Sequence, residues 1–201
     1  MLDYKVRKVL DPKLDRVGKF FAHLGIPADF VTLLGWLFGV AAIIFVSQRF
    51  FWLSLIFWLI NRVLDGLDGP IARSGNRSPI GGLLDLLADF SIYGGYLVGL
   101  AIAMPSQGVA LAVLFLSYYL SGMTLMAISS MKSESKAKTP GKRTFYFANG
   151  LAEGTETIIA YSLICIIPWA ANIILWVFSV MVFITFLQRA VIAMKLSKIR
   201  E

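Results

Sequence analysis

Apolar blocks as long as a bilayer is thick set the first constraint on this chain. Residues 30–48, "FVTLLGWLFGVAAIIFVSQ", contain no charged side chain, and about 20 apolar residues is the length of helix that crosses a hydrocarbon core. Blocks of this kind recur, so the 201 residues are 58% hydrophobic and only 15% charged, with a mean hydropathy of +0.74. A soluble domain is about a quarter charged and less than half apolar. The reading is an all-α integral membrane protein, one domain over residues 1–201. The first 30 residues mix acids and bases without a continuous apolar centre, so they do not read as a secretory signal.

The basic residues are placed to orient such a protein. Six precede the first apolar block (Lys5, Arg7, Lys8, Lys13, Arg16, Lys19), five lie in the linker "MKSESKAKTPGKRTFY", and Lys195, Lys198 and Arg200 close the chain. The net charge of +7 therefore points to basic loops held in the cytoplasm, not to nucleic acid. Leu14, Val17, Phe20, Phe21 and Leu24 recur at helical spacing after Asp11 and Pro12, a cap followed by proline at the first helical position. The pattern predicts an amphipathic helix over residues 12–24 on the cytoplasmic leaflet. Six spans are expected, at about 30–48, 50–73, 79–103, 108–130, 147–168 and 171–195. Both termini are then cytoplasmic, in a bacterial inner or plasma membrane.

Against this background, four aspartates stand out. Asp65, Asp68, Asp85 and Asp89 fall within 25 residues, although an ionised aspartate near the bilayer centre costs at least about 2.5–3.5 kcal/mol. Asp65 and Asp68 share one helix face and Asp85 and Asp89 another. Between them "RSGNRSP" reads as a turn, with Ser78 as N-cap and Pro79 opening the next helix. The two helices form an antiparallel hairpin that brings the acids to overlapping depths near the cytoplasmic side. Four carboxylates cannot remain ionised together without a cation among them. One cysteine and one histidine rule out a Cys/His zinc site, so an all-oxygen set points to Mg²⁺, Mn²⁺ or Ca²⁺. Two ions would clamp the attacking and leaving oxygens of a phosphoryl transfer. Gly66, Gly69, Ala72, Gly81 and Gly82 leave room for a large ligand, or let helices pack closely.

The stretch "DGLDGPIAR" (65–73), seven residues, and "GGLLDLLAD" (81–89) together resemble the CDP-alcohol phosphotransferase family motif, DxxDGxxAR followed by GxxxDxxxD. Every fixed position is filled, and the chain's length and helix pattern fit the family's six-span layout. The resemblance implies transfer of a substituted phosphate from a CDP-linked donor to an alcohol, releasing CMP, with Mg²⁺ or Mn²⁺, two ions in all. By similarity Asp65, Asp68, Asp85 and Asp89 hold the ions, and Asp89 is also the base for the acceptor hydroxyl. Asp68, Gly69, Ala72, Arg73 and Gly81 would contact the nucleotide, with Arg73 on the pyrophosphate; a homodimer is also implied. "IPADFVTLLG" is similar to the family's PNxxT segment and adds Thr32, although Ala28 and Asp29 replace proline and asparagine.

The acceptor side is less defined. Glu153 and Glu156 share a face at the start of the fifth span, where acids complement the helix dipole or line an acceptor pocket. Arg189 is an interface anchor or a phosphate ligand, and Lys142 and Arg143 are candidate phosphate contacts. The expected activity is transfer of a phosphatidyl group from CDP-diacylglycerol to a small alcohol in phospholipid synthesis. The alternatives are a different CDP-alcohol donor with a lipid acceptor, a membrane prenyltransferase, and a divalent-cation carrier that releases no CMP.

Overall fold

Glycines at four-residue steps decide how the first helices meet. The computed structural model describes residues 2–75, 78–135 and 150–198, and these form seven α-helices with two short 3₁₀ turns. In order they are α1 (Leu2–His23), α2 (Ala28–Ser47), α3 (Phe51–Arg73), α4 (Gly81–Ala103), α5 (Gly108–Ser135), α6 (Gly154–Ile166) and α7 (Ala171–Lys198). Helix α2 packs against both α3 and α4. A Cβ on Gly35 would come within 3.2 Å of Leu64 on α3. One on Gly39 would meet Ile92 of α4 at 2.6 Å, and one on Gly99 would meet the Ile43 carbonyl at 2.9 Å. Small residues spaced this way let helix backbones approach in an apolar medium, where dispersion and not water release drives association.

Four helical segments are long and apolar enough to cross a membrane: Ala28–Ser47, Gly81–Ala103, Pro105–Met131 and Pro168–Ser197. Leucine, isoleucine, valine and phenylalanine side chains stay exposed along them. An apolar surface of that extent is one that lipid covers, which makes the chain a membrane protein. Helix α3 has 23 residues, but Arg62, Asp65, Asp68 and Arg73 lower its apolarity. Helix α6 has 13 residues, about 20 Å at the helical rise.

Several boundaries differ from the sequence expectation, among them the starts of α1, α4 and α6. Helix α1 runs from Leu2 through Pro12; the carbonyl that proline leaves without a donor lies on an exposed surface, where water can satisfy it. Its far end is where expected, at Gly25 with φ +76°, a conformation that glycine adopts without cost. Helix α4 begins at Gly81 and not at Pro79. The Ser78 hydroxyl instead accepts the Ile80 N–H at 3.3 Å, and the Ile80 carbonyl starts the helical ladder by accepting from Leu83 and Leu84. Helix α6 begins at Gly154; residues 147–149 of the expected span lie outside the described part.

The main core is aromatic. Trp58, Tyr96 and Tyr161 are fully buried, with the two tyrosine rings stacked at 4.7 Å. Ser54 ties this core to α2 by donating to the Ala42 carbonyl at 2.8 Å. Cys165 is buried there within 2.9 Å of the Tyr96 hydroxyl. Helix α5 packs along α7, and Leu111, Leu114, Leu175 and Phe178 of this pair belong to the same core. A smaller cluster of Ala28, Val31, Leu67 and Ile71 seats α1 through Leu14, Phe21 and Ala22.

Candidate active site

Helix α3 delivers its acids on the face turned from lipid, because Leu67 and Ile71 anchor the neighbouring face in the small core. Asp68 is buried and Asp65 and Asp85 are half-buried. One carboxylate oxygen from each of the three lies within 4.8 Å of the others. Both acidic helices pack most closely on α2, so their side chains meet in the space beside α2 and not across tightly packed backbone. Three carboxylates at this separation repel one another unless a cation neutralises them. The set is all oxygen, which suits a hard divalent ion such as Mg²⁺ or Mn²⁺.

Asp89 is placed differently. Its Oδ1 accepts from Arg62 Nη1 at 2.9 Å. Arg62 was not singled out in the sequence reading, yet it is the most heavily engaged side chain of the site. The same Nη1 donates to the Tyr93 hydroxyl at 2.7 Å and stands 3.6 Å from Asp65 Oδ2. Its Nε donates to Asn61 Oδ1 at 2.7 Å, and Asn61 in turn donates to the Gly35 carbonyl at 2.8 Å. The guanidinium carbon lies 4.8 Å from the ring centres of both Trp58 and Tyr93. With only 5% of its side chain exposed, Arg62 is braced by hydrogen bonds and by cation–π contacts on two sides.

Thr32, at the start of α2, donates to Asp68 Oδ2 at 2.7 Å, with a longer contact to the Ala28 carbonyl at 3.2 Å. Thr32 thereby joins the acidic set through its hydroxyl. Asp29 lies against Gly81, where a Cβ would come within 3.0 Å of its Oδ1, and it caps no helix end. A Cβ on Gly69 would lie 3.3 Å from Arg73 Nη1, so glycine keeps that side chain's path clear. Arg73, in the last turn of α3, reaches back to α1 and pairs with Asp15 at 2.7 Å. Ala72 packs against the small core.

The acceptor candidates are dispersed. Lys142 and Arg143 lie outside the described residues. Glu153 and Glu156 form a capping box at the start of α6: each side chain accepts a backbone N–H of the other's residue, with Glu156 Oε2 at 3.1 Å from the Glu153 nitrogen. This is the helix-start role. Arg189 is buried, not an exposed interface anchor, and donates to the Ser121 hydroxyl at 2.9 Å. The segment before α6 is pinned to α7 as well: the Ala152 N–H donates to Thr185 and the Leu151 N–H to Gln188.

The family model for CDP-alcohol phosphatidyltransferase matches residues 25–187. The chain is 34% identical over 175 residues to the Escherichia coli inner membrane protein YnjF, covering 85% of each. It is 30% identical over 197 residues to the archaetidylinositol phosphate synthase of Pyrococcus horikoshii, covering 95% of this chain and 96% of that one. In fold it is similar to a Mycobacterium tuberculosis phosphatidylinositol phosphate synthase (PgsA1) solved in complex with manganese and citrate. That match has a TM-score of 0.68 at 21% identity, over 90% of this chain and 88% of the other. A second PgsA1 structure, with CDP-DAG bound, matches with a TM-score of 0.64 at 22% identity, over 90% and 92%.

Proposed function

The chain belongs to the CDP-alcohol phosphatidyltransferase family, and on that footing we propose that it transfers a phosphatidyl group from CDP-diacylglycerol to a small alcohol, releasing CMP, in phospholipid synthesis. The observation that carries this reading is the convergence of Asp65, Asp68 and Asp85 with Asp89 held beside them by Arg62. A CDP-DAG-bound and a manganese-bound relative of the same fold favour the same donor and metal. The carrier reading lacks any such support.

In this proposal Asp65, Asp68 and Asp85 would hold the first Mg²⁺ or Mn²⁺, and Asp89 would be a ligand of a second. The bound ions supply charge stabilisation for the phosphates of the donor. Thr32 fixes the Asp68 carboxylate. Gly69, Ala72 and Gly81 leave space for the nucleotide, and Arg73, released from Asp15, pairs with the diphosphate through its fork. Asp89 accepts the proton of the acceptor hydroxyl. The acceptor oxygen then bonds to the lipid-bearing phosphorus as the P–O bond to the CMP phosphate breaks. Placement and charge, not a strong base, carry a transfer of this kind.

Six spans complete the architecture, with α3 and α6 joining the four apolar segments and α1 lying on the cytoplasmic surface, where the site opens. As the family resemblance implies, the enzyme would pair as a homodimer. Arg189, with Lys142 and Arg143, is the candidate set for an acceptor phosphate, since Glu153 and Glu156 are engaged as caps. The test is CMP release from CDP-diacylglycerol with Mn²⁺ against glycerol 3-phosphate, inositol phosphate and serine. Acceptor-dependent CMP supports the proposal and identifies the alcohol. CMP release only from a different CDP-alcohol would transfer the reading to that donor.

A further inference from the structure

A buried arginine between two halves of an acidic metal site has a consequence for how many ions the site takes. Resting on the phosphatidyltransferase reading, we propose that Arg62 is a positioning residue that competes with the second divalent ion for Asp89. The second ion is therefore bound weakly until the donor's diphosphate arrives.

Four carboxylates balance two divalent ions in charge. With the Arg62 guanidinium inside the same cluster, two ions leave the site with excess positive charge. The repulsion is local, because one nitrogen, Nη1, is 2.9 Å from Asp89 Oδ1 and 3.6 Å from Asp65 Oδ2. Nor can the side chain swing away cheaply. Asn61, itself fixed to the α2 backbone, holds Nε, and the Trp58 and Tyr93 rings face the guanidinium. The first ion is spared most of this, since among the described residues the ion pairs of Arg62 are with Asp65 and Asp89 and not with Asp68 or Asp85. A nucleoside diphosphate brings the negative charge that offsets the guanidinium. The second ion and the donor then enter together, with Asp89 already oriented toward the acceptor.

Two features separate this from an ion pair that only supports the fold. Removing a merely structural partner of a buried charge weakens whatever the site does. Removing a competitor tightens metal binding while turnover falls. The measurement is a titration of the full-length protein in lipid nanodiscs with Mn²⁺ alone, free Mn²⁺ being followed by electron paramagnetic resonance, with and without CDP. For the wild type we expect one tight and one weak ion, the weak one tightened by CDP. In Arg62→Met the second ion binds at least about tenfold tighter without CDP, while kcat for CMP release falls at least about a hundredfold. Arg62→Gln also removes the charge but leaves an amide that can donate to Asp89. It is expected to tighten the second ion as Arg62→Met does, and it carries the test alone if Arg62→Met does not fold.

Second-ion binding in both variants that is no tighter than in the wild type would overturn the inference. A wild type that releases no CMP from any CDP-alcohol would instead sink the proposed function, while the Mn²⁺ comparison would still decide whether Arg62 competes for Asp89.

Discussion

The Thr32 hydroxyl offers the most direct energetic test of how the metal site is built. It donates to Asp68 at 2.7 Å, and both residues are buried, at 6% and 7% exposed. A hydrogen bond to a charged group in such a place contributes about 1.5–3 kcal/mol net. Because the bond is already made without the ion, only its part in orienting Asp68 enters the affinity; losing a partner that orients a metal ligand typically costs about ten- to a hundredfold, and Thr32→Val should weaken Mn²⁺ binding at the first site by that amount. Valine preserves the shape of the side chain, so little of the loss comes from packing. The weaker contact to the Ala28 carbonyl at 3.2 Å lies within the helix's own turn, and its loss is nearly neutral. Thr32→Ser keeps the hydroxyl and should bind Mn²⁺ within about twofold of the wild type. The assay is the same Mn²⁺ titration on the three proteins, with thermal unfolding to establish that each is folded. If Thr32→Val binds Mn²⁺ as tightly as the wild type, Thr32 does not orient Asp68 and the reasoning is wrong.

Two other perturbations probe the frame around the site. A Cβ on Gly18 would fall 2.4 Å from Pro70 Cβ and 3.0 Å from the Pro70 carbonyl carbon, and a proline ring cannot turn aside. Gly18→Ala should lift α1 off α3 at a cost of about 1–3 kcal/mol, read as a lower melting temperature and faster proteolysis of residues 2–23. At the start of α6, Glu156→Ala removes one arm of the capping box and should cost about 0.5–2 kcal/mol in thermal unfolding without changing the KM of any acceptor. A large rise in acceptor KM would return Glu156 to the acceptor pocket.

The aspartates were legible because charge in an apolar helix demands a reason, and because the two pairs repeat at one-turn steps. Arg62 was not singled out, although the same logic applies to it. Read from Asp65 onward the motif excludes it, yet "NR" inside "FWLINRVLD" is a polar pair within a span and stands three residues before Asp65. The wedge of α2 between α3 and α4 was also overlooked. Its signature is present in Gly35 and Gly39, and in Gly95 and Gly99, each pair four apart. The start of α1 was placed too late because the Asp11–Pro12 cap signal is local, whereas the helix before it continues through the proline. Which side chains face Arg189 depends on how α5 meets α7, a long-range pairing without a local signature.

One measurement tests the central claim most directly: single-turnover CMP release from CDP-diacylglycerol by the wild type and by Asp89→Asn, in the presence of Mn²⁺ and again after chelation. The account predicts CMP from the wild type only with the metal, and a variant that binds the donor but releases no CMP. Metal-independent release, or an Asp89→Asn enzyme as fast as the wild type, would contradict it.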